Sequence, residues 1–200
     1  MKINKKDLIL ASASPRRKEL LNRLSLDFKV HPSNINEDQY TADSPVDLVK
    51  LLAAEKAKDV GSSYNNAIII AADTIVVYKG QVLGKPENER AAFKMLVNLS
   101  GAEHYVYTGI AFNIIENKTP VLISDIDCST VKMRDYDDDE IYEYLKTGEY
   151  KDKAGSYAIQ GYGSLLVKEI RGSYYTIMGL PVHKLADILP EYNIKLYNKI

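Results

Sequence analysis

The stretch Ala67-Ile-Ile-Ile-Ala-Ala-Asp-Thr-Ile-Val-Val-Tyr78 decides the fold. It is rich in β-branched residues and almost wholly apolar, as a strand buried at the centre of a sheet must be. Lys79-Gly80 turns it into a short return strand. Upstream, residues 8–11 read as a second short buried strand, broken at Ser12-Ala13-Ser14-Pro15. A helix follows, with Leu20, Leu21 and Leu24 on one face. Ser14 suits its N-cap and Pro15 its first turn. Residues 46–60 predict another helix, burying Val46, Val49, Leu52, Ala53 and Ala57.

Downstream, residues 87–99 predict a helix closed by Ser100-Gly101. Residues 104–115 and 121–131 read as a β-hairpin joined at Glu116-Asn117. Residues 137–146 form a helix opened by the capping pair Asp137 and Glu140 and closed by Gly148. A strand near 164–170 and a helix over 182–189, stopped by Pro190, complete the chain. Strands interleaved with helices make an α/β protein: a mixed, twisted sheet with flanking helices, read as one domain over residues 1–200.

Composition narrows the function. The 200 residues are 46% hydrophobic and 26% charged, with a net charge of −1. That is a globular chain with no global field for a nucleic-acid polymer, though a local basic cluster could still hold a phosphorylated small molecule. One cysteine, Cys128, supplies neither an internal disulfide nor a cysteine-built zinc site, and its predicted strand makes it a core residue. Lys2, Lys5 and Lys6 precede an apolar stretch too short for a signal peptide, and no run reaches the ~18 residues of a membrane span. The expected location is cytoplasmic, without a membrane partner.

Four stretches carry chemistry. Ser12-Ala13-Ser14-Pro15-Arg16-Arg17 puts two arginines where a helix N-terminus exposes N–H groups and favours anions. Asp73 is a carboxylate inside an apolar strand: it faces either solvent or a cleft where a metal or cation partners it. Thr74 points to the opposite face if the strand is regular, whereas a strand end or bulge would bring both to one cleft. Lys85, in Gly84-Lys85-Pro86, offers a point charge from a rigid turn that is not a Walker loop. The glycine-punctuated run 152–163 contains Gln160, whose amide can read a base edge. The acids of Asp135-Tyr-Asp137-Asp-Asp139 lack the glycine and glutamate of a calcium loop and decorate a helix start.

Leu10-Ala-Ser-Ala-Ser-Pro-Arg-Arg-Lys-Glu-Leu-Leu21 resembles the N-terminal signature of the Maf family of nucleoside triphosphate pyrophosphatases. The resemblance continues through Glu55-Lys56-Ala57, Ala72-Asp73-Thr74, Gly84-Lys85-Pro86, Asp152-Lys153-Ala154-Gly155, Gln160-Gly161 and Gly179-Leu180-Pro181. It implies two lobes around a deep cleft, similar to the inosine triphosphate pyrophosphatases. It also implies hydrolysis to a nucleoside monophosphate and pyrophosphate with a divalent cation, Mg²⁺ or Mn²⁺, and a homodimer.

By that resemblance Asp73, Lys56 and Lys85 are the catalytic residues, and Glu37 and Asp73 the metal ligands, with Asp38 an alternative to Glu37. Asp73 is then either the base that activates water or a ligand of the ion. Ser14, Arg16, Arg17, Thr74 and Gln160 bind substrate, and Arg16, Thr74 and Gln160 look like the set of the branch acting on dTTP and UTP. The competing expectation is a nucleotide-binding regulator of septum formation in which hydrolysis is incidental.

Overall fold

The computed structural model describes residues 6–197; Lys2 and Lys5 lie outside them. The elements run β1 (Asp7–Leu10), α1 (Pro15–Arg23), β2 (Lys29–Val30), α2 (Pro45–Gly61), β3 (Ala67–Tyr78), β4 (Gln81–Leu83) and α3 (Glu89–Leu99). Then come β5 (Glu103–Glu116), β6 (Thr119–Met133), α4 (Asp138–Lys146), β7 (Val167–Arg171), α5 (Tyr174–Ile177) and α6 (Val182–Ile188). One mixed sheet has the order β2-β1-β3-β5-β6-β7, with β4 paired to β3. The chain divides into two compact units: the first takes residues up to Thr74, Thr108–Asp127 and the residues from Met178 on, the second Ile75–Tyr107 and Cys128–Ile177.

In the first unit β1 pairs in parallel with β2 on one side and β3 on the other, Ile9 opposite Ile69 and Leu10 opposite Ile70. Alternation along β1 and β3 sends Ile9, Ala67, Ile69 and Ala71 to one face, where they pack with Ala53, Ala54, Ala57 and Val60 of α2. Small residues let helix and sheet approach closely. A Cβ on Gly109 of β5 would lie 2.4 Å from the Val49 carbonyl oxygen, so this strand position requires glycine for α2 to pack as it does. The other face is buried as well, through Leu8, Leu10, Ile68 and Ile70. A strand covered on both faces explains the unbroken apolar run of the sequence.

In the second unit Lys79 and Gly80 both take left-handed conformations, φ 49° and 77°, and close the β3–β4 hairpin. β6 pairs antiparallel with β7, with an irregularity between Lys132 and Met133. Phe93 of α3 stacks on Tyr142 of α4 at 4.7 Å between ring centroids.

Three expectations need correction. Cys128 is exposed, because the buried phase of β6 is Ser129, Val131 and Met133. The strand expected from residue 164 starts at Val167; Gly161–Leu166 forms a 3₁₀ segment first, opened by the left-handed Gly161. The last helix does end ahead of Pro190, at Ile188, and Pro190 then sits inside a 3₁₀ turn, Leu189–Tyr192, where an early proline loses no needed N–H. Ser14 occupies the N-cap of α1, yet its side chain makes no cap bond. At α4, Asp137 caps as expected by accepting from the Glu140 N–H at 2.9 Å, while the Glu140 carboxylate pairs with Arg134 instead.

Candidate active site

The alternation that builds the first unit's core also sorts its charged residues. Asp73 continues the phase of Ile69 and Ala71, the face covered by α2. There Lys56, one residue before the buried Ala57, donates to Asp73 Oδ1 at 2.7 Å. The same Nζ lies 2.8 Å from Glu37 Oε1, on the 3₁₀ turn Glu37–Gln39. Lys56 is 12% exposed and Asp73 17%, against 52% for Glu37. Desolvating an ammonium and a carboxylate this far is costly unless each meets its opposite, and here each does. Of the two surroundings open to Asp73 from its sequence, it has the cationic partner.

Thr74 falls on the other phase and meets Arg17 of α1. Arg17 Nη2 donates to Thr74 Oγ1 at 3.2 Å, Nη1 to Ser12 Oγ at 3.1 Å and Nε to the Gly179 carbonyl at 2.8 Å. Thr74 Oγ1 is also 3.0 Å from Thr108 Oγ1, so its hydroxyl has one direction left for a ligand. Gly179 is required at this point. Its φ is 95°, and a Cβ would stand 3.1 Å from Thr74 Oγ1 and 3.5 Å from Arg17 Nη2.

Burial holds the Arg17 guanidinium below its usual range; Asp73 opposes this, Arg16 adds to it, and Glu37 opposes it. Burial alone lowers Arg16. These three acceptors of Arg17 are neutral oxygens, which orient the fork without neutralising it. Ser14, at the helix start, donates its N–H to Ser12 Oγ at 3.2 Å.

All these residues lie at or beyond the carboxyl end of β1 and the matching point of β3, where Ala11 N–H bonds to the Ile70 carbonyl. The chain leaves β1 for β2 on one side while β3 lies on the other. That is the switch point at which open parallel sheets bind ligands.

The second unit holds the remaining candidates. Lys85 is exposed and Gln160 half-buried. Their loops meet through the Gly155 N–H, which donates to the Gly84 carbonyl at 3.2 Å.

Glu37 and Asp73 present an oxygen-only donor set within reach of one cation, which suits a hard ion such as Mg²⁺ or Mn²⁺. Among the described residues no group of three His, Cys, Asp or Glu side chains forms, so water and substrate oxygens would complete the shell. Ser12, Thr108 and Gly179 were not singled out from sequence as members of the arginine site. Ser12 and Gly179 stand in motif stretches, but a threonine within residues 104–115 carries no local signal.

The first unit thus contains a parallel β2-β1-β3 group of a mixed α/β sheet, with its charges gathered where the strand order reverses. The chain belongs to the Maf-like protein family, whose model matches residues 7–192. A dTTP/UTP pyrophosphatase of Dictyoglomus turgidum is 46% identical over 193 residues, covering 96% of this chain and 99% of that one. Those of Dictyoglomus thermophilum and Clostridioides difficile are 47% and 46% identical, covering 92% and 93% of this chain and 95% of each relative. A solved HAM1 protein from Coxiella burnetii is similar at a TM-score of 0.46 and 17% identity, covering 93% of this chain and 99% of that one. Among the described residues no helix is long and apolar enough to cross a membrane.

Proposed function

We propose that this chain is a nucleoside triphosphate pyrophosphatase acting on dTTP and UTP, releasing a nucleoside monophosphate and pyrophosphate. The observation that carries the reading is the Lys56 ammonium held 2.7 Å from Asp73 and 2.8 Å from Glu37 at the switch point. Relatives of nearly the same length named dTTP/UTP pyrophosphatase support it.

In this reading a water oxygen bonds to the α-phosphorus, the α–β anhydride P–O bond breaks, and pyrophosphate leaves. Asp73 takes the water proton, and Lys56 keeps its carboxylate oriented. Ser14, Arg16 and Arg17 hold phosphate oxygens at the start of α1. Lys85 adds a point charge for the phosphates, and Gln160 reads the pyrimidine edge by accepting and donating hydrogen bonds. Thr74 acts mainly by orienting Arg17. A divalent cation on Glu37 and Asp73 would supply charge neutralisation and a more acidic bound water. The proposal also takes the chain as one cytoplasmic domain that forms a homodimer, on family resemblance alone.

The test is incubation of purified protein with Mg²⁺ or Mn²⁺ and each common nucleoside triphosphate, with products separated by anion exchange. Monophosphate and pyrophosphate from dTTP and UTP are expected, and Asp73→Asn should abolish both. Diphosphate and orthophosphate would place cleavage at another bond. Binding without turnover would favour the regulatory alternative.

A further inference from the structure

The Gln160 segment is clamped from both sides by groups that the proposed chemistry does not use. Before it, Tyr157 is buried with its hydroxyl 2.8 Å from His104 Nε2, and the Ala158 N–H donates to the Tyr144 hydroxyl at 3.2 Å. After it, one carboxylate holds two successive peptides. Glu149 Oε1 accepts from the Tyr162 N–H and Oε2 from the Gly163 N–H, both at 3.0 Å. Charge-assisted bonds to both oxygens of one carboxylate are strong and fix its plane.

The backbone is shaped to allow this. α4 ends at Lys146, Gly148 turns left-handed at φ 73°, and the Glu149 N–H donates to Thr147 Oγ1 at 3.2 Å. Gly161, directly after Gln160, has φ 67°, and a Cβ there would stand 2.2 Å from Glu149 Oε1. Gly163 closes the loop onto Ala158, whose carbonyl oxygen would be 2.3 Å from a Cβ. Residues 157–158 and 162–163 are therefore fixed points, and Gln160 is the half-buried side chain between them.

We propose that Glu149 is a positioning residue that sets base selectivity by fixing the peptide segment bearing Gln160. The inference rests on the proposed role of Gln160 as the reader of the base edge. A side chain that reads a base by hydrogen bonds loses discrimination when its backbone drifts by a fraction of an ångström. Glu149 donates nothing to phosphate chemistry, so its loss should act on substrate choice more than on turnover.

The experiment is steady-state kinetics of the full chain on UTP and GTP, for Glu149→Gln, Glu149→Ala, Gln160→Ala and the Glu149→Ala/Gln160→Ala pair. Gln160→Ala should lower the UTP-over-GTP ratio of kcat/KM about 10-fold. Glu149→Ala should lower the same ratio about 5-fold through KM for UTP, with kcat within about 2-fold of wild type. Glu149→Gln is isosteric and keeps one acceptor, so a loss of about 3-fold is expected, and it carries the test alone if Glu149→Ala does not fold. In the Gln160→Ala background, Glu149→Ala should change the ratio no further, because both act through one contact.

Glu149 variants that slow UTP and GTP alike, or an effect fully additive with Gln160→Ala, would reduce Glu149 to a structural cap. If Gln160→Ala lowers the ratio and the Glu149 variants leave it intact, the Glu149 inference alone fails. A ratio unchanged in Gln160→Ala would remove the reading of Gln160 itself, and the inference with it.

Discussion

The two units hold their candidate residues by different means. In the first, Asp73 and Thr74 stand on a strand buried on both faces, and Lys56 and Arg17 reach them from helices. Their positions follow from the two-residue period of the strand. In the second, Lys85 and Gln160 stand in loops, and the Gln160 loop is held by hydrogen bonds to Glu149, Tyr144 and His104. In the proposed reading, charge that must meet phosphate with little freedom sits on the rigid scaffold, while selectivity sits where local changes can retune it. The comparison predicts all-or-none effects in the first unit and graded ones in the second.

The largest effect is expected at Asp73. Asp73→Asn keeps the shape of the side chain and removes its charge and basicity, and kcat should fall about 10⁴-fold, the upper range for a positioned base. Folding should change little, since Lys56 keeps Glu37 at 2.8 Å. A fall below about 10-fold in a rapid-quench assay would show that Asp73 only shapes the site. Lys56→Met comes next. It leaves Asp73 and Glu37 without the cation between them, and kcat should fall about 10³-fold, as for loss of one preorganised electrostatic group. Retained activity would move the weight of the site to Arg17.

How much of this was legible follows from the same contrast. The strand 67–78 has the ends that its apolar run marks, but the sequence leaves open whether Asp73 and Thr74 face apart or share a cleft, and the contacts to Lys56 and Arg17 decide where each lies. The fork of Arg17 was not legible, because its acceptors lie 5, 57 and 162 residues away in the chain. Only tertiary structure brings Ser12, Thr74 and Gly179 to one guanidinium. Cys128 was misplaced for a simpler reason: an apolar-looking strand fixes burial only once its phase is known, and Val131 and Met133 set a phase that excludes it. The short 3₁₀ segments Ala154–Ser156 and Gly161–Leu166 carry no periodic signal, so the geometry around Gln160 was the least readable part.

The second unit also has a stability handle of intermediate size. His104 is fully buried against Tyr157, and burial lowers its pKa from 6.5 to about 4. The neutral ring fits the fold, whereas the unfolded chain takes up the proton below pH 6.5. This contribution is fully present above pH 6.5 and is lost as the pH falls towards 4, by about 3 kcal/mol. Urea titrations of wild type and His104→Gln over that window should show the slope in wild type and its absence in the variant. Equal slopes would mean that His104 is not the group responsible. Acid should therefore loosen the segment that Tyr157 anchors next to Gln160.

A smaller effect than at Asp73 or Lys56 is expected at Gln160, and it sharpens the comparison most. Gln160→Ala removes hydrogen bonds to the base and leaves the carboxylates, Lys56 and Arg17 in place, so KM for UTP should rise about 10-fold. The Mg²⁺ concentration giving half-maximal activity should stay within about 2-fold of wild type, because the proposed ion ligands Glu37 and Asp73 belong to the first unit. Titrating Mg²⁺ at saturating UTP separates the two quantities. Parallel shifts in KM and in metal dependence would mean that the loop and the carboxylates act as one device, and the division between scaffold chemistry and loop selectivity would fall.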